Sequence, residues 1–208
     1  MSGDADVEIL NVETGFARFL RMEVVELRHR LYSGEWSAPH RWDVLRRGAA
    51  AAVVLYDPDR DSVVLVEQLR LPAFLAGAAP RQLELAAGLV EEGEAPEAVA
   101  IRETREETGL GIIGAPLPIQ PYLPSPGASD EIVHLYCARI DSTAAGGVHG
   151  LAEEHEDIRV VVETIAEIET LLDAGAIENG HTLIGLHWLL RHRHRLRELW
   201  ARADNREN

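Results

Sequence analysis

Cysteine is nearly missing from this chain of 208 residues. Cys137 stands alone, so no intramolecular disulfide can form, and a reducing compartment fits. It lies in the apolar stretch Ile132 to Ile140, where a buried, inert thiol is expected rather than a nucleophile. No apolar run approaches the roughly 18 residues that a membrane-spanning helix needs. The opening residues Met1 to Asp6 carry acids and show neither a basic nor an apolar leader segment, so no signal peptide is expected and the chain reads as cytoplasmic. Positive charge is also scarce: 20 Lys and Arg face 35 Asp and Glu, a formal net charge of −15. Such a surface repels a phosphate backbone, which makes nucleic acid and anionic membranes poor partners. A small phosphorylated ligand is still compatible, because metal ions can screen one anion from another.

Hydrophobic residues make up 46% of the chain, enough for a core in one domain of ordinary size with a small appendage. Residues 7 to 47 read as an N-terminal β segment. Leu20, Met22 and Val24 alternate with polar residues, then Val25, Leu27 and Leu31 take over the other phase, which predicts a bulge or bend. Ala49 to Tyr56 reads as a buried strand and Ser62 to Leu69 as its hairpin partner across an Asp- and Pro-rich turn. Leu71 to Arg81 is expected to be a loop, and Leu83 to Ala87 a short strand ending at Gly88. Pro96 and Gly109 bound a helix of about three turns. Pro116 to Gly127 contains five prolines and reads as a structured loop, Glu131 to Ile140 as a strand, and Asp141 to Asp157 as a long loop. Ile158 to Val162 is a further strand, and helices follow at Ile165 to Asp173 and Thr182 to Ala201. Strands and helices mixed over this length predict an α/β fold, a helix–sheet–helix sandwich.

The helix after Pro96 carries the chemistry. Glu103, Glu106 and Glu107 stand at i, i+3 and i+4, so they share one face. Three carboxylates there repel one another, and Arg102, four residues before Glu106, offsets part of that repulsion. Divalent cations would turn the arrangement favourable, since Mg²⁺ takes carboxylate, phosphate and water oxygens. A solvated charged face is the plainer alternative. The preceding residues favour metal. Gly88, Glu94, Arg102-Glu103, Glu106-Glu107 and Gly109 follow the order Gly, five residues, Glu, seven residues, Arg-Glu, two residues, Glu-Glu, one residue, Gly. This pattern resembles the box of the Nudix hydrolases, with one departure: Thr104 occupies a place that is usually apolar.

That resemblance implies the Nudix α/β/α sandwich with a mixed sheet over residues 48 to 208, preceded by the small β segment of residues 1 to 47. It also implies hydrolysis of nucleoside diphosphates linked to another group. Glu103 and Glu107 would be metal ligands, Glu106 a ligand or a group that polarises water, and the main-chain carbonyl of Ala87 a further ligand. Gly88, without a Cβ, would let the backbone approach the metal–phosphate cluster. Pro126, 16 residues after Leu110, and the run Gly150 to Val160 are similar to the ADP-ribose pyrophosphatase subgroup, including its tellurite-resistance-type members. By position in that run, Glu154 matches the general base, with Glu153 its competitor, and Glu156 an additional metal ligand.

The same resemblance implies two or three Mg²⁺ ions per site, with Mn²⁺ able to substitute, a nucleotide-sugar substrate, and AMP and ribose 5-phosphate as products. Phe19 would stack on adenine, with a place in the core as the alternative. Arg47 and Arg70 would contact ribose or phosphates. Leu89 and the turn Ser125-Pro126-Gly127 would offer backbone contacts, and Glu131 would lie near the terminal ribose; Trp42 stands where a relative has arginine. Another nucleotide sugar, such as GDP-mannose, is the rival substrate, and a non-catalytic ADP-ribose sensor the rival class. His187, His192 and His194 read as the polar side of the last helix rather than a metal site. The N-terminal segment carries Phe19, Leu20, Met22, Val24, Val25, Leu27, Leu31 and Trp36, too much apolar surface for so short a stretch to bury alone. The resemblance, supported by this surface, implies a homodimer in which the segment packs on the partner and helps complete the partner's substrate site, with packing on its own Nudix core as the alternative.

Overall fold

The alternation around Met22 becomes the middle strand of a three-stranded antiparallel sheet: β1 (Val7–Ala17), β2 (Arg21–His29) and β3 (His40–Arg46). The computed structural model describes residues 6–151 and 156–207. Its chain divides into two units, residues up to Gly48 with Leu123–Ile132, and Ala49–Tyr122 with the residues from Val133 onward. In the first unit the expected bulge is displaced. β2 pairs with β3 without interruption from Arg21 to Leu27, while Leu10 and Gly15 in β1 have no counterpart on β2. Burial does not change sides with the apolar phase at Val24–Val25, since the buried residues of β2, Glu23 and Leu27, lie on the same side, and β1 carries the extra residues. Ser129 bridges in parallel to Leu45, and Leu45 N–H donates to Ala128 O at 2.8 Å, so residues 125–130 run beside β3.

The second unit is built around the apolar run. It forms β4 (Ala49–Asp57), followed by β5 (Ser62–Leu69), and from Ala51 to Tyr56 every residue is buried. The expected loop after Arg70 holds one helical turn, α1 (Leu71–Leu75), started by Pro72. The expected strand at 83–87 is two strands, β6 (Arg81–Glu84) on β5 and β7 (Ala86–Leu89) on β4. The break falls at Leu85, whose N–H leaves the ladder and donates to Thr182 Oγ1 at 3.1 Å. Gly88 thus lies inside β7, not beyond a strand.

Helix α2 (Pro96–Thr108) ends at Gly109, whose φ of +70° is the left-handed cap that a Cβ disfavours. The proline-rich stretch corrects the expectation of a loop: residues through Tyr122 form β8 (Ile113–Tyr122), paired with β9 (Ile132–Arg139). It tolerates Pro116, Pro118 and Pro121 because it is the edge strand, where a missing N–H breaks no inner ladder. The stretch expected to be one loop contains a 3₁₀ turn at Ser142–Ala144 and the two-residue strand β10 (Val148–His149). β11 (Ile158–Thr164) follows. α3 (Ile165–Asp173) starts with a capping box in which Thr164 and Glu167 exchange bonds, and α4 (Gly180–Glu207) extends beyond Ala201.

The sheet order is β10-β11-β5-β4-β9-β8. It is mixed, since Ile132 N–H donates to Gly48 O and Ile140 N–H to Tyr56 O, so β9 runs parallel to β4. Alternate residues of β4 divide between two cores. Ala52, Val54 and Tyr56 join Ile168 of α3 and Leu186, Leu189 and Trp200 of α4. Ala51, Val53 and Leu55 join Val99 and Ala100 of α2. The result is the α/β/α sandwich that an apolar strand covered on both faces requires. Cys137 is buried in the first core, where burial pushes its thiol up to about 12. No described helix is long and apolar enough to cross a membrane.

Asp57 ties the β4–β5 turn to the 3₁₀ turn. Burial would raise its pKa, but bonds from Ser142 Oγ (2.6 Å), Ser142 N–H (2.9 Å) and Arg60 (3.0 Å) outweigh it and lower the carboxyl from 3.8 to about 2. A depressed folded-state pKa adds stability that is present above pH 3.8 and lost as pH falls toward 2. Asp57→Asn should cost about 2 kcal/mol at pH 7 by this linkage, and the difference should shrink progressively below pH 4 in urea titrations.

Candidate active site

Helix α2 presents its acids to β7. Glu107 is 3% exposed, and its Oε2 accepts from Ala87 N–H at 3.0 Å. Burial pushes its carboxyl up to about 8. The Ala87 N–H opposes that shift, and the charges of Glu103 and Glu156 add to it. Glu103 is raised as well, by burial first, with Arg102 acting against it and Glu106 and Glu156 acting with burial. The structure thus brings Glu103, Glu107, Glu156 and the main chain of Ala87 into one electrostatic neighbourhood. Glu106 stands at its rim, bonded to Arg102 at 2.9 Å.

Arg102 does more than balance Glu106. Its guanidinium also contacts Glu103 at 2.8 Å and Glu94 at 3.4 Å, so the fixed Glu, Arg and Glu positions form one clamp. The unusual Thr104 is fully buried without harm, because its Oγ1 donates to Ala100 O at 2.6 Å within the helix. Gly88 has a sharper task than close approach of the backbone: a Cβ there would lie 1.7 Å from Glu103 Oε1, so the glycine makes room for the carboxylate itself. Glu156 is held at the base of its loop, where its Oε2 accepts from Leu151 N–H at 3.0 Å. Glu153 and Glu154 lie outside the described residues.

Among the described residues no three His, Cys, Asp or Glu side chains are poised as they stand to hold an ion. Two of the acids are turned to protein donors, Glu103 to Arg102 and Glu107 to Ala87 N–H. The donor set nevertheless suits a hard divalent cation: oxygen ligands only, with buried negative charge that a cation would relieve.

The remaining predicted residues fall into two groups. In the second unit, Leu89 is on β7, and Arg70 follows β5 with its guanidinium on Glu84 at 2.8 Å. In the first unit, Phe19, Arg47 and Glu131 come together. The Arg47 guanidinium lies 5.7 Å from the Phe19 ring centroid, and Arg47 Nε is 3.6 Å from Glu131. Phe19 is 85% exposed, which removes the alternative of a core phenylalanine. Ser125 O accepts from the N–H groups of Ala128 and Ser129. Pro126 and Gly127 line a cleft of about 370 Å³ with Trp42, Val25, Leu27 and Arg46. Sequence reasoning does not single out Glu84; the available signal is an acid within the otherwise apolar run Leu83 to Ala87.

The NUDIX domain model matches residues 46–183, well over half of the chain, and the chain belongs to that family. It is similar to the ADP-ribose pyrophosphatase of Escherichia coli strain K12, 41% identical over 199 residues that cover 96% of this chain and 95% of that protein. The ADP-ribose pyrophosphatase of Haemophilus influenzae is 40% identical, covering 95% and 92%. The GDP-mannose pyrophosphatase of Citrobacter koseri is 31% identical over a shorter stretch, 72% of this chain and 78% of that protein. This chain is therefore a Nudix hydrolase.

The Gly88–Glu103 fit is testable. Gly88→Ala should leave the fold intact and cut hydrolytic turnover at least about tenfold, the effect of about 1.4 kcal/mol in the barrier. Gly111→Ala, where a Cβ meets open space, should be neutral in the same assay.

Proposed function

We propose that this chain hydrolyses the diphosphate of ADP-ribose to AMP and ribose 5-phosphate with Mg²⁺ as cofactor. The observation that carries the reading is the 41% identity to an ADP-ribose pyrophosphatase along nearly the whole of both chains. GDP-mannose is the competing substrate, and its relative matches at lower identity over less of the chain.

In this reading the carbonyl of Ala87 and the carboxylates of Glu103, Glu107 and Glu156 would hold two or three Mg²⁺ ions, with Glu106 at the rim as a further ligand or a polarising group. Bound there, Mg²⁺ would neutralise the diphosphate oxygens and acidify the attacking water. The chain's own groups do the rest. Glu154 takes the proton from the water as it attacks phosphorus, and Glu153 is the alternative base. Arg70 and Arg47 bind phosphate and ribose oxygens, Phe19 stacks on the adenine, and Glu131 receives the terminal ribose. The backbones of Leu89, Ser125, Pro126 and Gly127 fix the substrate's orientation. The lone buried thiol fits a reducing compartment such as the cytoplasm.

A panel of nucleotide sugars with Mg²⁺, assayed for released phosphomonoester, tests the substrate; a preference for GDP-mannose would overturn ADP-ribose. Glu103→Gln and Glu107→Gln should each lower turnover at least about a hundredfold while the fold survives, because they supply charge to the metal rather than packing. Glu154→Gln should lower turnover with little change in KM, since proton transfer matters only in the transition state. If Glu153→Gln behaves so instead, the base is one residue earlier.

The homodimer belongs to the same proposal. Along β1, Val7, Ile9 and Val12 share one side by their pairing with His29, Leu27 and Val25 and are each exposed by two fifths or more, an apolar stripe that a second copy would cover. Light scattering at assay concentration should give twice the 22.9 kDa chain mass; a monomer with full activity would rule the dimer out.

A further inference from the structure

Glu84 has no task in the reading above, yet it is 5% exposed and lies three residues before Ala87. Both of its oxygens are occupied. Arg70 Nε donates to Oε1 at 3.0 Å and to Oε2 at 3.1 Å, and Arg70 Nη2 donates to Oε2 at 2.8 Å. Asn179 Nδ2 adds a bond to Oε1 at 3.2 Å, and Gln68 Nε2 one to Oε2 at 3.4 Å. Asn179 is itself fixed at the start of α4, where its Oδ1 accepts from Thr182 N–H and Thr182 Oγ1, both at 3.1 Å.

A guanidinium gripped along one edge in this way has a single orientation. The grip matters because Glu107 and Glu156 also attract Arg70. A long, unrestrained cation beside those acids would fold onto them, and the charge that recruits a divalent ion would be cancelled from within the chain.

We propose that Glu84 is a positioning residue, one that holds Arg70 off the metal-binding carboxylates and presents its free edge to the substrate's phosphates. The inference rests on the metal reading of Glu103, Glu107 and Glu156. It makes Glu84, Asn179 and Gln68 a rigid frame that separates the cation serving the substrate from the anions serving the metal.

Mn²⁺ binding to the full chain without substrate, followed by electron paramagnetic resonance, tests this apart from turnover. Glu84→Gln keeps the shape and loses the charge. It should weaken Mn²⁺ binding about tenfold, the scale of one weak charge–charge contact in a partly buried site. Its KM for ADP-ribose should rise more than its kcat falls. Arg70→Ala combined with Glu84→Gln should restore Mn²⁺ affinity while KM stays high, an outcome that general loosening of the site would not produce. Asn179→Ala, which leaves the Glu84 charge in place, should shift Mn²⁺ affinity in the same direction by about twofold. Unaltered Mn²⁺ binding in folded Glu84→Gln, or in Asn179→Ala should the former fail to fold, overturns the inference. So does a double variant that binds Mn²⁺ no better than Glu84→Gln. Wild-type protein that binds no Mn²⁺ would overturn the metal reading and this inference together, whereas normal wild-type binding with unresponsive variants overturns the inference alone.

Discussion

Glu103 can stand between α2 and β7 only because residue 88 has no side chain: the space a Cβ would fill is taken by the carboxylate. Around that contact the rest of the site is ordered. β7 must pair with β4 for Gly88 to be held at that depth, and α2 must pack through Val99 and Ala100 for its acids to face β7. Glu107 then reaches Ala87 N–H, one residue before the glycine. A strand and a helix are locked together by carboxylates that repel one another, which is a poor way to stabilise a fold and a good way to concentrate negative charge.

Positive charge near this cluster is kept under restraint. Arg102 is shared among Glu94, Glu103 and Glu106, and Arg70 is held by Glu84. Each guanidinium has acids outside the Glu107–Glu156 neighbourhood to hold it, so neither is left to collapse on the deepest carboxylate. In a chain with net charge −15 this local bookkeeping, rather than the overall balance, decides where a phosphorylated ligand can approach.

Where the sequence reading and the fold part, the cause is a neighbour that only the fold supplies. Prolines at 116, 118 and 121 argue against a strand until that strand is seen at a sheet edge. Leu83 to Ala87 looks like one strand because nothing local marks Leu85, whose N–H is taken by Thr182 from far along the chain. The phase change at Val24–Val25 suggests a bulge there, but the partner strand β1 carries it. Thr104 looks misplaced in the box until its hydroxyl is found bonded to Ala100 O inside its own helix.

Sequence by itself determined what depends on spacing along one element. The apolar run from Ala49 to Tyr56 announced a strand covered on both faces, Pro96 and Gly109 bounded the helix, and the i, i+3, i+4 spacing set Glu103, Glu106 and Glu107 on one face of it. These are local consequences of backbone geometry, repeated at every turn or pleat. Tertiary structure alone decided what depends on distant partners: that Glu103 occupies the Cβ space of Gly88, that Glu107 bonds to Ala87, that Phe19, Arg47 and Glu131 meet, and that Asn179 and Arg70 converge on Glu84. Those contacts join residues on separate elements, and the free energy that selects them comes from packing and from charges brought close by folding, neither of which leaves a period in the chain.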